Sequence, residues 1–114
     1  MSDKQVALIV GVGPGLGAAL ARRFSSAGLA VAVAARDLPA LTPLAAAIGP
    51  NVHAYRCDAT DETQVEQLFQ SVEHDLGVPD VAIHNAGAFS RKSILESTKE
   101  DVEACWRVTA LAGF

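Results

Sequence analysis

The stretch that decides the fold is QVALIVGVGPGLG, residues 5–17. Residues 6–10 are a continuous apolar run, mostly small or β-branched, which is typical of a strand buried on both faces of a parallel sheet. The second half of the stretch has a glycine at every second position, and a helical pattern begins at Ala18. We expect a strand, a glycine turn and a helix start, whose backbone N–H groups and dipole attract phosphate. The glycines would let a pyrophosphate approach the backbone closely.

Composition limits the class of protein. The chain has 114 residues, which is enough for one domain, and half of them are hydrophobic, which allows a packed core. The net charge of −4 argues against a nucleic-acid or anionic-membrane surface. No apolar run approaches about 20 residues, the length of a membrane span, and the first residues lack a signal-peptide pattern. Cys57 and Cys105 stand far apart, so we expect reduced thiols and a cytoplasmic protein.

Apolar runs and helical spacing alternate along the chain. The predicted strands cover residues 5–10, 29–35, 52–57 and 81–84. The predicted helices cover residues 15–27, 38–48, a segment from the N-cap Thr60 to Gly77, and a segment capped by Ser97 or Thr98 that is still in progress at Phe114. We expect Pro43 to kink or shorten the second helix.

This alternation predicts the fold class. Strand–helix–strand units with right-handed crossovers give a Rossmann-like α/β fold, a doubly wound parallel sheet in three α/β/α layers. The expected strand order is 3-2-1-4. A ligand would lie across the carboxyl ends of the first and fourth strands, where the order reverses.

Three short motifs, each at the end of a predicted strand, resemble motifs of the short-chain dehydrogenase/reductase family. Residues 10–17 (VGVGPGLG) resemble its T-G-x-x-x-G-(I/L)-G turn, with Val10 in place of threonine. Residues 57–61 (CDATD) resemble the segment after its third strand. Residues 84–87 (HNAG) resemble its N-N-A-G turn, with His84 in place of the first asparagine. The motifs stand in the family's order, and the resemblance covers the chain from Gln5 to Phe114.

The resemblance implies a bound nicotinamide dinucleotide and assigns residues to it. The glycine turn would hold the pyrophosphate, Asp58 would accept a hydrogen bond from the adenine amino group, and residues 85–87 would meet the ribose beside the nicotinamide. An ordinary tight turn and a helix-entry aspartate are the alternatives, and Leu16 could lie beneath the cofactor or in the core. The implied cofactor-binding set is Gly11, Gly13, Gly15, Leu16, Gly17, Arg36, Asp58, Ala59, Asn85, Ala86 and Gly87.

The residues after the second strand bear on the choice between NADP(H) and NAD(H). In the family, an acidic residue there binds the adenosine ribose hydroxyls and repels a 2′-phosphate. Here Arg36 follows the strand, and a guanidinium matches a phosphate, so the resemblance implies that NADP(H) is preferred. Arg36 could instead be a solvated side chain. Asp37 is the competitor, since it would favour NAD(H) if the strand ended one residue later.

The family's catalytic serine and Tyr-x-x-x-Lys motif do not occur in these 114 residues. The one tyrosine, Tyr55, lies in the third strand and has no lysine four residues later. Residues 106–109 resemble a W-x-x-N segment whose asparagine helps to hold a proton-relay water, with Thr109 in its place. A helix threonine that bonds its own backbone is the alternative. His84 could be a base or a strand-end histidine filling an asparagine's place, and we expect no metal site.

The resemblance therefore implies an oxidoreductase that transfers hydride between nicotinamide and a small-molecule carbonyl or alcohol. Residues 1–114 would be an incomplete cofactor-binding domain, inactive alone, in a homo-oligomer. One alternative is a non-catalytic dinucleotide-binding module that senses redox state or binds a partner. Another is a truncated product whose fourth strand leaves an apolar sheet edge.

Overall fold

The computed structural model describes residues 4–87 and 91–114. Strands and helices alternate along the chain as β1 (Val6–Val10), α1 (Leu16–Ser26), β2 (Ala30–Ala35), α2 (Leu38–Ile48), β3 (Val52–Arg56), α3 (Glu62–Asp75), β4 (Val81–His84) and α4 (Lys99–Thr109). A short 3-10 helix, Leu111–Gly113, follows α4.

The four strands form one parallel sheet in the order β3-β2-β1-β4, as the sequence predicts. In the central strand β1, Val10 pairs with Ala34 of β2 and with His84 of β4. In the outer pair, Ala35 lies beside Arg56 of β3. This register aligns the carboxyl ends of all four strands along one edge of the sheet.

The core lies on both faces of the sheet, which explains the continuous apolar strands. On one face, strand residues such as Leu8 pack with Leu68 and Val72 of α3. On the other face, strand residues such as Ile9 pack with Ala21 of α1 and with Leu41 of α2. These helix–sheet–helix layers are those of a Rossmann-like α/β fold.

Two predicted details of the helices are wrong, the N-cap of α3 and the end of the last helix. The N-cap of α3 is Asp61 and not Thr60, because the Asp61 carboxylate accepts hydrogen bonds from the amides of Thr63 (3.0 Å) and Gln64 (3.3 Å). Of the two effects expected of Pro43, a kink or a shorter helix, the structure excludes the second, because Pro43 lies inside α2 and the helix keeps its predicted bounds. The last helix does not continue to Phe114, since α4 ends at Thr109 and the chain tightens into the 3-10 helix.

The start of α4 agrees with one of its two predicted caps. Thr98 forms a capping box with Asp101: the Asp101 amide donates to Thr98 Oγ1 at 3.1 Å, and the Thr98 amide donates to Asp101 Oδ2 at 2.9 Å. Lys92 adds an ion pair of 3.0 Å to the same carboxylate. The loop after β4 is thereby tied to the first turn of α4.

Candidate functional site

A groove of about 1150 Å³ runs along the carboxyl ends of the strands, with α4 on its far side. Most of the residues that the sequence assigned to a cofactor meet there. Those that line the groove are Gly11, Gly13, Arg36, Asp58, Ala59, Asn85, Ala86 and Gly87. Gly15, Leu16 and Gly17 belong to the same turn and helix start but do not line it.

The glycines of the first turn fall into two groups. Gly11 has a positive φ of 95°, and a Cβ there would overlap the backbone nitrogen of Ala86. A Cβ at Gly17 would lie 2.8 Å from Val12 Cα. These two glycines are needed for packing, whereas a Cβ at Gly13 or Gly15 would meet no atom within 4 Å. Packing within the chain therefore does not explain why residues 13 and 15 are glycines. The open space beside Gly13 and Gly15 suits a phosphate.

The start of α1 offers donors to an anion. Its N-cap, Gly15, provides no side-chain hydrogen bond. The first turn of α1, which the structure describes in full, has no acidic residue. Its first backbone N–H groups therefore lack a side-chain partner and can bind a phosphate. Leu16, the first helical residue, is 64% exposed, which rules out the core as its place.

Asn85 joins β4 to the glycine turn. Its side-chain amide donates to the carbonyl of Gly11 at 3.1 Å, and its backbone N–H donates to the carbonyl of Val10 at 2.7 Å. The side chain thus holds two strand ends in register at the groove. Since its NH₂ bonds to Gly11, Asn85 acts here on the backbone that shapes the groove.

Arg36 and Asp37 have different roles at the end of β2. The strand ends at Ala35, so Arg36 is the residue that follows it and lines the groove. Asp37 also borders the groove, but it is the N-cap of α2 and its Oδ1 accepts from the Ala40 amide at 3.1 Å. One oxygen of the competing carboxylate is therefore already used by the helix.

Asp58 remains ionised on the groove wall. Its Oδ1 accepts hydrogen bonds from the hydroxyl of Thr60 at 2.7 Å and from the amide of Thr60 at 3.0 Å. These bonds, together with the positive charges of Arg36 and Arg56, lower the pKa of the Asp58 carboxyl below its ordinary 3.8. An ionised carboxylate at this place can accept a hydrogen bond from an amino group.

His84 and Thr109 meet at the end of β4. His84 Nε2 lies 3.2 Å from the Thr109 carbonyl oxygen, and a Cβ at Gly113 would lie 2.7 Å from His84 Cδ2. The ring is thus packed against the end of α4 and the 3-10 helix, which favours a structural role for this histidine. The Thr109 hydroxyl faces Gly87, with Oγ1 3.8 Å from where a Cβ of Gly87 would stand.

One wall of the groove was missed by the sequence reasoning. The α4 residues that line it are Glu100, Glu103, Ala104, Arg107 and Val108. Their i, i+3, i+4, i+7, i+8 spacing places them on one helix face, and this spacing is the signal that could have found them. Arg107 Nη2 donates to Glu103 Oε1 at 3.2 Å, so the wall carries an ion pair.

Tyr55 lies outside the groove and has a partner on the surface. The Tyr55 hydroxyl donates to Asp75 Oδ2 at 2.9 Å on the surface of the β3–α3 unit. Burial, followed by the hydrogen bond to Asp75, raises the pKa of Tyr55 above its ordinary value.

Both cysteines are free thiols. In residues 4–87 and 91–114, none of the helices has the length and apolarity to span a membrane.

The chain is similar to proteins of known class over nearly its whole length. A family model for short chain dehydrogenases matches residues 5–114. A galactitol 2-dehydrogenase of Agrobacterium fabrum is 35% identical over 101 residues, covering 89% of this chain and 40% of the relative. A meso-2,3-butanediol dehydrogenase of Serratia marcescens is 36% identical over 106 residues, covering 92% of this chain and 41% of the relative. The chain therefore spans about two fifths of the length of these curated relatives.

Solved structures agree with the fold. A 3-ketoacyl-(acyl-carrier-protein) reductase from Brucella melitensis, complexed with NADH, superposes with a TM-score of 0.89 at 26% identity, covering 98% of this chain and 47% of that one. A short chain dehydrogenase from Mycobacterium smegmatis gives a TM-score of 0.89 at 25% identity, covering 96% and 48%. With the family model matching residues 5–114, the chain belongs to the short-chain dehydrogenase family of oxidoreductases.

Proposed function

We propose that this chain forms the dinucleotide-binding part of an NADP(H)-preferring oxidoreductase that acts on a small-molecule carbonyl or alcohol. The observation that carries the proposal is the single groove that collects the glycine turn, Asp58 and the turn of residues 85–87 at the carboxyl ends of the strands. Ligands of open α/β sheets bind at this edge, where the strand order reverses. The NADH complex of the structurally similar reductase supports the same ligand class.

Each part of the groove has a task in this proposal. The N–H groups at the start of α1 hold the pyrophosphate over Gly13 and Gly15, where a Cβ would find open space. Asp58 accepts a hydrogen bond from the adenine amino group. The backbone of residues 85–87 supports the ribose next to the nicotinamide. The nicotinamide supplies the hydride chemistry when the cofactor is bound, and the protein supplies position and electrostatics.

The preference for NADP(H) rests on Arg36. Its guanidinium borders the groove directly after β2, where a 2′-phosphate on the adenosine ribose would be a fitting anion. Asp37 would favour the free ribose hydroxyls of NAD(H), but one of its carboxylate oxygens already accepts a hydrogen bond from the amide of Ala40.

Equilibrium titration of the purified chain with NADPH and with NADH tests both parts. We expect tighter binding of NADPH, and Arg36→Asp should reverse the order because a carboxylate repels the 2′-phosphate. Arg22→Asp is the matched control, since Arg22 is exposed on α1 and does not line the groove. Equal or reversed affinities in the unmodified chain would refute the NADP(H) preference. Failure to bind either dinucleotide would refute the proposal as a whole.

We also propose that these 114 residues alone do not turn over substrate, because they hold no Tyr-x-x-x-Lys motif. NADPH oxidation in the presence of a panel of aldehydes and ketones tests this. A rate that follows the purified chain through fractionation would disprove it.

A non-catalytic dinucleotide-binding module is the second candidate. The observation in its favour is that His84 replaces an asparagine of the family turn and packs its ring on the Thr109 carbonyl, where Thr109 itself replaces another asparagine. A polypeptide that contains residues 1–114 and a downstream Ser and Tyr-x-x-x-Lys would favour the enzyme. A longer polypeptide that lacks those downstream residues would favour the module.

We further propose a cytoplasmic homo-oligomer. Family resemblance implies pairing through the helix that begins near Ser97, and this helix, α4, exposes Val102 and Trp106. Light scattering of the purified chain measures the mass directly. A monomer at all concentrations would contradict this proposal.

A further inference from the structure

Arg56 stands beside the site that the proposed function assigns to the adenosine ribose. It is the last residue of β3, and the register pairs it with Ala35, the residue immediately before Arg36. The Cys57 amide donates to the Ala35 carbonyl at 3.0 Å, so the two strands stay paired up to this point. With neighbouring strands about 5 Å apart, the two arginines start from adjacent positions on the same sheet edge.

Both guanidinium groups are available to a ligand. Arg36 and Arg56 are exposed, and within residues 4–87 and 91–114 neither has a hydrogen-bond or ion-pair partner. Asp58, an acidic group of the groove wall, directs its Oδ1 to Thr60 and not to either arginine. Both arginines are nevertheless close enough for their positive charge to lower the pKa of the Asp58 carboxyl.

The charge balance at this rim depends on Arg56. Two carboxylates, Asp37 and Asp58, border the groove here beside one lining guanidinium, that of Arg36. With Arg36 alone, the rim would carry a net negative charge and would repel a phosphate that has between one and two negative charges. The second guanidinium at Arg56 neutralises this excess, and arginine forks suit phosphate oxygens.

We propose that Arg56 is a second specificity residue for the 2′-phosphate of NADP(H), acting together with Arg36 from the end of the neighbouring strand. This inference rests on the proposed dinucleotide function. Arg56 would lower the repulsion from Asp37 and Asp58 and donate to the phosphate, while it would make no contact that NADH needs.

The test is a titration of Arg56→Ala and Arg56→Gln with NADPH and NADH, together with adenosine 2′,5′-bisphosphate and 5′-AMP, which differ only in the 2′-phosphate. We expect NADPH and the bisphosphate to bind about five- to tenfold more weakly, and NADH and 5′-AMP to change less than about twofold. Arg22→Ala, another exposed arginine, should change none of them. The selectivity should also decline with added salt, since the rim is open to solvent.

The outcomes separate the two proposals. If both Arg56 variants keep the melting temperature of the unmodified chain and weaken all four ligands equally, or none, the role of Arg56 is overturned while dinucleotide binding stands. If the unmodified chain binds NADH and NADPH equally well, the 2′-phosphate site is overturned with it. If it binds neither, both proposals fall. Arg56→Lys, which keeps the charge but loses the fork, should retain part of the NADPH selectivity.

Discussion

The side-chain amide of Asn85 donates to the carbonyl of Gly11 at 3.1 Å and so joins the exit of β4 to the glycine turn after β1. These residues are 74 positions apart in sequence, and their contact sets the floor of the groove. Gly11 can take part only without a side chain, because a Cβ would overlap the backbone of Ala86. The shape of the groove therefore depends on one hydrogen bond and one missing methyl group.

Asn85→Ala should lower the free energy of unfolding by about 1–2 kcal/mol, since the Gly11 carbonyl loses a partly buried donor. It should also weaken dinucleotide binding. Asn51 is the control, because its side chain hydrogen-bonds to Ser25 and to the Leu29 carbonyl (2.7 Å) just before β3, at the amino ends of the strands and away from the groove. Thermal unfolding and NADPH titration of both variants check this. Asn51→Ala should lose at least as much stability, because it loses more hydrogen bonds, and should keep its affinity when measured well below its melting temperature.

Equal losses of affinity in the two asparagine variants would contradict a special role for Asn85. They would mean that binding responds only to global stability. Unchanged binding in a folded Asn85→Ala variant would have the same consequence for the contact with Gly11.

The capping box at the start of α4 should make this helix sensitive to acid. The Thr98 amide, followed by the Lys92 ammonium, lowers the pKa of Asp101 below its ordinary 3.8. Because the folded-state pKa is depressed, ionised Asp101 contributes its full stabilisation above pH 3.8 and loses it as the pH falls towards the folded-state pKa. Asp101→Asn should therefore melt lower than the unmodified chain near neutral pH, and the gap should narrow as the pH falls below 3.8.

Melting temperatures of the two proteins across this range give the answer. Lys92→Ala serves as the control, since it removes the ion pair of 3.0 Å and leaves the box with Thr98 intact. A gap between Asp101→Asn and the unmodified chain that stays constant down to the acid limit would show that this ionisation contributes nothing.

The two thiols should differ in reactivity. Cys57 is buried at the groove, and burial, followed by the negative charges of Asp58 and Asp61, raises the pKa of its thiol. Since the thiolate is the reactive form, Cys57 should be alkylated more slowly than the half-buried Cys105. The variants Cys105→Ser and Cys57→Ser isolate each thiol, and labelling with iodoacetamide measures both rates.

A saturating dinucleotide should slow the alkylation of Cys57 further and leave Cys105 unchanged in rate. Faster labelling of Cys57 than of Cys105 would mean that the end of β3 is open to solvent. Labelling of Cys57 that is indifferent to NADPH and NADH would place the ligand elsewhere.

His84 and Gly113 should behave as a coupled pair. A Cβ at Gly113 would lie 2.7 Å from His84 Cδ2, so Gly113→Ala should destabilise the chain by about 1–2 kcal/mol through overpacking. In a His84→Ala background the ring is gone, and the same change should cost almost nothing. Thermal unfolding of the four proteins of this cycle measures the coupling. Additive effects would mean that the ring moves away freely.

The strand order and the groove residues at the ends of the strands could be predicted because both follow from local signals. Apolar runs mark the strands, and the crossover rule fixes their order. The bounds of α2 and β4 match the prediction because proline, glycine and aspartate punctuate those segments clearly. Val10, Asp58 and Asn85 meet at one edge since each follows or ends a parallel strand.

Other features depend on contacts that a single sequence does not display. Both Thr60 and Asp61 are good capping residues. Thr60 does not cap α3, because its hydroxyl donates to Asp58 instead. The end of α4 depends on how His84 meets Thr109 and Gly113 across 25 or more positions of sequence. The α4 wall of the groove was missed because its polar residues resemble an ordinary solvated helix face.

The most direct test of the account is the affinity of Gly13→Glu compared with Gly13→Gln for NADPH. A Cβ at Gly13 would meet no atom within 4 Å, so both variants should fold and melt alike, and their side chains differ only in charge. If the groove holds a pyrophosphate beside this glycine, the carboxylate should weaken binding at least about tenfold more than the amide. Equal affinities of the two variants, in chains that melt alike, would contradict the placement of the dinucleotide in this groove.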